Sequence, residues 1–166
     1  VTTMALYAVE SFGASDTVGG FASSAFVLGA PCMRVFSGWI VDRVGHKKAA
    51  LASLAFVTVV AVAYFFAHNV AVLIIVRMVH GAAYALTSTA LMAVAQSVIP
   101  HERRAEGTGY FALGTTLATA FGPAIGLLLA NNIGYTTLFA VALGANIVSL
   151  ILALVLRYPA EVSSEK

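Results

Sequence analysis

The sequence predicts an all-α membrane protein with a single transmembrane domain. Of its 166 residues, 60% are hydrophobic and only 10% are charged, whereas a soluble domain has about 25% charged residues. The mean hydropathy is +0.93. The apolar residues form runs close to the roughly 20 residues that a helix needs to cross a bilayer, and most charged residues lie in the short connections between these runs.

Five apolar runs predict five membrane-spanning helices. Residues 1–9 are apolar but too few to span, and we interpret them as the end of a sixth helix that begins before this sequence. A polar loop follows, where Asp16 or Thr17 can cap the next helix through a side-chain oxygen. The predicted spans cover residues 17–41, 49–67, 70–98, 105–130 and 135–156, with a polar tail at 157–166.

The distribution of cations predicts the orientation in the membrane. The turns at 67–71 and 130–135 contain no Lys or Arg. The cations on the opposite side of the alternating path are Arg43, Lys47, Lys48, Arg103, Arg104, Arg157 and Lys166. Because short loops rich in Lys and Arg stay in the cytoplasm, we predict that the 42–48 and 100–104 loops are cytoplasmic in a multi-pass protein of the cell membrane.

Arg77 is a cation that the sequence places inside the membrane, about 10 Å from the outer end of its span at 1.5 Å per residue. A cation at the centre of a helix costs about 2.5–3.5 kcal/mol on insertion scales. At about 100° per residue, one face of the helix carries Arg77, His80, Gly81, Tyr84, Thr87 and Ser88. We interpret this stripe as the wall of a cavity. The alternatives are hydrogen bonding between helices and, for Arg77 alone, a side chain that reaches outward to water.

The fourth span has small residues on one face. They recur every four positions, at Gly114, Ala118, Gly122 and Gly126. Such a groove allows the backbones of two helices to approach closely. Pro123 lies within it and removes a backbone hydrogen bond, which favours a bend. A functional bend and ordinary helix packing both remain open.

No catalytic or metal-binding set is recognised, and we predict no enzyme, no metal and no cofactor. His101-Glu102 begins like a zinc-protease motif, but Ala105 stands where the second histidine is needed. The single Cys32 cannot form a disulfide within the chain. The cations lie in loops rather than on one face of a soluble fold, which argues against a nucleic acid partner.

Two loop segments resemble the amino-terminal half of a major facilitator superfamily transporter. Residues 38–47 contain the densest run of charge and read Gly-x-Ile-Val-Asp-Arg-x-Gly-His-Lys. They are similar to the family's loop motif between helices two and three, with Ile40 for the usual Leu and His46 for the usual Arg. Residues 100–104, Pro-x-x-x-Arg, resemble the family's inner loop before helix five.

Two spans extend the resemblance. Residues 73–81, Leu-x-x-x-Arg-x-x-His-Gly, resemble the helix-four motif, with His80 where Gln is common. Residues 118–126, Ala-x-x-x-Gly-Pro-x-x-Gly, resemble the helix-five motif of proton-driven antiporters, with Ala118 and Leu127 where Gly is usual. The five spans would then be helices two to six of the family.

The resemblance implies a secondary transporter of small molecules that works by alternating access, with a proton gradient as its energy source and efflux as its direction. Arg77 would take part in proton coupling with an acid, for which Glu10 and the missing part of helix one are the candidates. The inner-loop set implied to control conformation is Arg34, Gly38, Asp42, Arg43, Gly45 and Lys47.

The implied partners are a small-molecule substrate, the lipid bilayer and a carboxy-terminal half that the sequence lacks. Two other functions stay open at this point. The chain could be a membrane scaffold or regulatory half-protein that associates through the glycine groove, or a member of the same superfamily that takes up sugars or metabolites.

Overall fold

The computed structural model describes residues 2–156, and these residues form helices joined by short turns, without a strand. The predicted tail at 157–166 lies outside the described residues. The α-helices of the described chain are α1 (Thr2–Phe12), α2 (Asp16–Val44), α3 (His46–Ala63), α4 (Val70–Val98), α5 (Arg104–Asn132) and α6 (Tyr135–Val155). Short 3-10 turns at Tyr64–Phe66 and His101–Arg103 lie in two of the connections.

Five stretches of the described chain are long and apolar enough to cross a membrane, and they contain α2 to α6. The predicted all-α membrane fold is therefore confirmed. The helix α1 is shorter and precedes these five. It packs against α2, with Gly19 close to the backbone and side chains of α1.

The connection between α2 and α3 is shorter than the predicted charged loop. Asp42 and Arg43 belong to the last turn of α2, and Lys47 belongs to the first turn of α3. Gly45 alone separates the two helices, with φ of 92°, a region that glycine adopts without steric cost. Its N–H donates to the carbonyl of Val41 at 3.0 Å. The charges thus reach water from helix ends, and one glycine makes the turn.

The connection between α1 and α2 also differs from its prediction. The helix α1 continues to Phe12, so the turn contains only residues 13–15. Ser15, rather than Asp16 or Thr17, caps α2 by accepting a hydrogen bond from the N–H of Val18 at 3.4 Å. A serine before the first turn performs the same capping function, which leaves Asp16 inside the helix.

The most extensive packing in the fold joins α2 to α4. A Cβ atom added to Gly29 would overlap the carbonyl of Met78, and one added to Gly81 would overlap the carbonyl of Phe26. Each helix therefore contributes a glycine at the point where its partner's backbone passes closest. The two main chains are in direct contact at this crossing.

Two apolar clusters surround the crossing. The outer cluster joins α1, α2, α3, α4 and α6 through Met4, Ala8, Ala22, Val60, Tyr64, Ala67, Leu73, Val76 and Phe139. The inner cluster joins α2, α3 and α4 through Val41, Ala49, Ala50, Ala90 and Val94. The helix α5 is largely exposed, and Ala130 is its buried residue. Near the start of α5, the hydroxyl of Thr108 accepts a hydrogen bond from Nε2 of Gln96 on α4 at 2.8 Å.

Replacing either crossing glycine by alanine is expected to destabilise the protein. The new methyl group would overlap a backbone carbonyl that cannot move without shifting its helix, and overpacking of this kind costs about 1–3 kcal/mol. Thermal unfolding of Gly29→Ala and Gly81→Ala, each in the complete protein in detergent, measures the effect. The matched control is Gly20→Ala on α2, where a Cβ atom meets nothing within 4 Å. Equal melting temperatures for all three variants would contradict the close contact.

Candidate functional site

Arg77 is the cation at the centre of the candidate site. It lies on α4 and is 7% exposed. Its Nε donates to the carbonyl oxygen of Ala22 at 3.1 Å, and its Nη2 donates to that of Ser23 at 2.7 Å. The guanidinium carbon also lies 5.2 Å from the centre of the Phe26 ring. These two hydrogen bonds and the ring contact hold the side chain of Arg77 against α2.

The partners of Arg77 on α2 are dipoles rather than an anion. The carbonyls of Ala22 and Ser23 lie inside α2, and a carbonyl oxygen has a second lone pair that can accept from a side chain. The ion pair between Arg103 and Glu106, at 2.8 Å, lies on the surface instead. The positive charge of Arg77 is therefore hydrogen-bonded but not neutralised by a carboxylate of residues 2–156.

Glu10 does not pair with Arg77. Its Oε2 accepts a hydrogen bond from the hydroxyl of Tyr135 at 2.7 Å, which ties the end of α1 to the start of α6. Tyr7 supports the same junction, with its ring centre 4.9 Å from that of Tyr135. Of the two candidate acids, Glu10 is therefore not the partner of Arg77 in this structure, because its carboxylate joins α1 to α6.

The rest of the predicted stripe divides between two environments. Gly81 is buried against α2, and Thr87 is buried with its hydroxyl donating to the carbonyl of Ala83 at 2.8 Å. Arg77 and Gly81 therefore lie in the α2–α4 interface, which fits the alternative of contacts between helices. The interpretation of the stripe as a cavity wall stays a prediction. Tyr84 is 49% exposed.

His80 and Ser88 connect α4 to other elements. The Nδ1 of His80 lies 2.9 Å from the hydroxyl of Tyr64 in the turn after α3. The hydroxyl of Ser88 accepts from Nη2 of Arg34 on α2 at 3.3 Å. The half-buried His80 also meets Phe26 edge to face, with ring centres 5.6 Å apart. Arg77 and His80 thus share Phe26 as a neighbour.

Near the end of α2 that leads to Gly45, one face of the helix contacts α4 and another face is exposed. The hydroxyls of Ser37 and Thr89 are 3.0 Å apart and connect α2 to α4, a contact that the sequence did not predict. On another face, a Cβ atom added to Gly38 would meet nothing within 4 Å, and Asp42 is exposed. Arg43 lies over the ring of Trp39 at 5.1 Å.

The small-residue groove of α5 is open along most of its length. Gly114, Ala118, Gly122 and Pro123 are exposed, and no atom of the described chain lies within 4 Å of a Cβ atom added to Gly114 or Gly122. A Cβ atom added to Gly126 would lie 3.5 Å from Oγ1 of Thr3 and 3.8 Å from Cδ1 of Leu138. The close approach predicted for this groove is therefore not made by another helix of residues 2–156.

Beside this groove, α5 carries three threonines that the sequence reasoning did not single out. Thr115, Thr116, Thr119 and Ala120 line an open depression of about 370 Å³. The three hydroxyls donate to carbonyls of α5 itself, at 2.8–2.9 Å. Their oxygen atoms retain acceptor capacity only. No group of three or more His, Cys, Asp or Glu that could hold a metal ion occurs among the described residues.

Comparison with known proteins gives a consistent group of relatives. An uncharacterized protein of Mycobacterium tuberculosis is 35% identical over 124 residues, which is 74% of this chain and 29% of that protein. The staphylopine export protein of Staphylococcus aureus is 31% identical over 136 residues, covering 81% of this chain and 33% of that protein. The tetracenomycin C resistance and export protein of Streptomyces glaucescens is 23% identical over 134 residues, covering 81% and 25%.

The chain thus spans a third or less of the length of these curated relatives. The family model of the Major Facilitator Superfamily matches residues 1–166, the whole of the chain. This match agrees with the motif resemblance at the inner loop, α4 and α5, and with the five apolar spans of the structure. The chain belongs to the Major Facilitator Superfamily.

Proposed function

We propose that the protein containing this chain is a secondary transporter that exports small molecules by alternating access, in exchange for protons. The observation that carries the proposal is Arg77, a cation buried between two membrane-spanning helices and held by backbone carbonyls. Intramembrane cations mark pathways for ions and substrates because their insertion is costly. Two of the relatives are named as export proteins, which supports efflux as the direction.

The environment of Arg77 suits a residue that must change its contacts. Hydrogen bonds to carbonyls stabilise the guanidinium without fixing it as a buried carboxylate pair would, since removing one partner of such a pair costs about 3–5 kcal/mol. In a conformation that opens the contact between α2 and α4, a substrate or proton carrier can therefore compete for it. The acid that completes the coupling is proposed to lie on a part of the protein other than residues 2–156.

The open face at the inner end of α2 suits a contact with the rest of the transporter. Arg34, Gly38 and Asp42 follow one another at intervals of four residues, and all three are exposed. We infer that helices of the carboxy-terminal half pack here in one conformation and leave in the other. We propose the orientation that the cations predict, in which the loops at 42–48 and 100–104 face the cytoplasm and the chain lies in the cell membrane.

A scaffold function is the second candidate, and the open groove of α5 favours it. Gly114, Ala118 and Gly122 leave space for a helix of another protein as well as for one of the same protein. The two functions differ in whether a compound crosses the membrane. A scaffold binds a partner but moves no compound across a sealed bilayer.

Reconstitution of the complete protein tests the proposed function. In proteoliposomes with an imposed pH gradient, we expect uptake of a compound from a panel that begins with staphylopine and tetracenomycin C, and dissipation of the gradient in step with it. Trapped pyranine reports the protons, and mass spectrometry reports the compound. Empty liposomes give the background. Absence of flux for every compound of the panel, with a stable partner protein bound, would favour the scaffold.

Arg77→Gln is expected to lower gradient-driven transport by at least about tenfold, which corresponds to about 1.4 kcal/mol. Glutamine can still donate one hydrogen bond to α2 but carries no charge. Arg77→Lys keeps the positive charge, on a compact ammonium group, and should retain more activity than Arg77→Gln. Arg103→Gln in the exposed ion pair with Glu106 is the matched control, and its transport rate should stay within about twofold of the wild type.

Asp42→Asn is expected to reduce transport several-fold while membrane insertion stays normal. The carboxylate is exposed at the end of α2, so its loss leaves the described packing intact and acts on the contact with the remaining helices. Accessibility of single cysteines on the two sides of the membrane would report the shift in conformational balance. Glu102→Gln, in the other inner connection, is the control. A wild-type rate for Asp42→Asn would make the inner loop a topological anchor only.

A further inference from the structure

His80 is a titratable side chain deep in the membrane-spanning bundle. It lies ten residues from the start of α4, about 15 Å along the helix axis at 1.5 Å per residue, which is close to the middle of a hydrocarbon core of about 30 Å. The other three histidines lie in turns or at the first residue of a helix. Inside the spans, Asp and Glu are absent from residues 49–98 and 107–155.

The neighbours of His80 include no anion among the residues that the structure describes. From the turn after α3, the Tyr64 hydroxyl lies 2.9 Å from Nδ1. From α2, Phe26 presents its ring. From α4 itself, Arg77 lies one turn earlier and Tyr84 one turn later. The imidazole therefore shares a hydrogen bond with a phenol and lies next to one fixed positive charge.

We propose that His80 is a proton-binding site of this bundle, and that a proton on His80 and the Arg77 contact with α2 exclude each other. This inference rests on the proposed proton coupling, to which it adds a proton-binding group within the described residues, besides the acid proposed for another part of the protein. The geometry that carries it is the shared position of the two side chains against Phe26, with Arg77 at 5.2 Å and His80 at 5.6 Å from the ring centre.

The proton balance at this site is simple. A proton from water adds to the ring nitrogen of His80 that carries no hydrogen, and no covalent bond of the protein breaks. Both ring nitrogens then donate, so Nδ1–H donates to the oxygen of Tyr64. Where Tyr64 was the donor before, its O–H must rotate away from Nδ1. The phenol oxygen can therefore remain the partner of Nδ1 after the imidazole is protonated.

The link to α2 is electrostatic. An imidazolium beside Arg77 places two positive charges in a medium of low dielectric constant, where their repulsion is much larger than in water. The repulsion is relieved when the guanidinium leaves the carbonyls of Ala22 and Ser23. Coupling between two sites is reciprocal, so a conformation in which Arg77 leaves α2 also binds the proton more readily. Proton uptake would thereby release one contact between α2 and α4.

Magic-angle-spinning NMR of the complete protein in lipid bilayers tests this inference. With nitrogen-15 in histidine and arginine, spectra are recorded from about pH 8.5 to about pH 4.5, a range that spans the usual titration of histidine. Difference spectra against His80→Gln and Arg77→Lys assign the two side chains. We expect the ring nitrogens of His80 and the guanidinium of Arg77 to change in the same pH step. The matched control is His68→Gln at an exposed position, a variant that should leave the signals of both His80 and Arg77 unchanged.

Tyr64→Phe is the second variant. It keeps the ring that stacks on Phe139 at 5.3 Å and removes the hydroxyl that lies near Nδ1 of His80. At alkaline pH, the nitrogen signals of His80 should therefore shift, while those of the other histidines of residues 2–156 should not. This assigns His80 even where His80→Gln fails to fold.

Two results would overturn the inference: His80 signals that stay constant over the whole range, or a His80 titration that leaves Arg77 unaffected. The measurement needs no transported compound. A joint change of both side chains without gradient-driven flux would contradict the proposed transporter function and leave the proton site standing.

Discussion

The fold depends on the direct contact between the backbones of α2 and α4. In lipid, the hydrophobic effect does not drive helices together, and close packing of small residues takes its place. Gly29 and Gly81 permit that packing by leaving space for the carbonyls of Met78 and Phe26. The same proximity brings the carbonyls of Ala22 and Ser23 within reach of Arg77, so the packing of the bundle and the environment of its buried cation have one cause.

The sequence was sufficient for the number of spans, because each helix must satisfy its own backbone in lipid and therefore appears as a long apolar run. It was insufficient at the connections. Residues 42–48 were interpreted as a loop from their charge, although charged side chains at helix ends reach water without leaving the helix, and Gly45 alone makes the turn. Capping by Ser15 rather than Asp16 depends on a helix start that periodicity locates only to within a residue or two.

The candidate site was predictable in its residue types and less so in its contacts. An arginine in an apolar run indicates a buried cation whatever its partner, so Arg77 could be recognised. Its partners could not, since backbone carbonyls of a distant helix have no signature in the sequence. The same reason explains why Gly29, which in the sequence is one small residue among many in its span, proved to be half of the crossing. It also explains why the Ser37–Thr89 contact was missed.

The absence of a described carboxylate beside Arg77 has an electrical consequence. A charge that is hydrogen-bonded but not neutralised experiences the transmembrane potential, which is worth about 2.3 kcal/mol for one elementary charge moved through about 100 mV. A displacement of Arg77 over a tenth of the field would thus contribute about 0.2 kcal/mol at that voltage. If Arg77 moves along the membrane normal when its contacts with α2 break, the equilibrium between the two arrangements would depend weakly on the membrane potential.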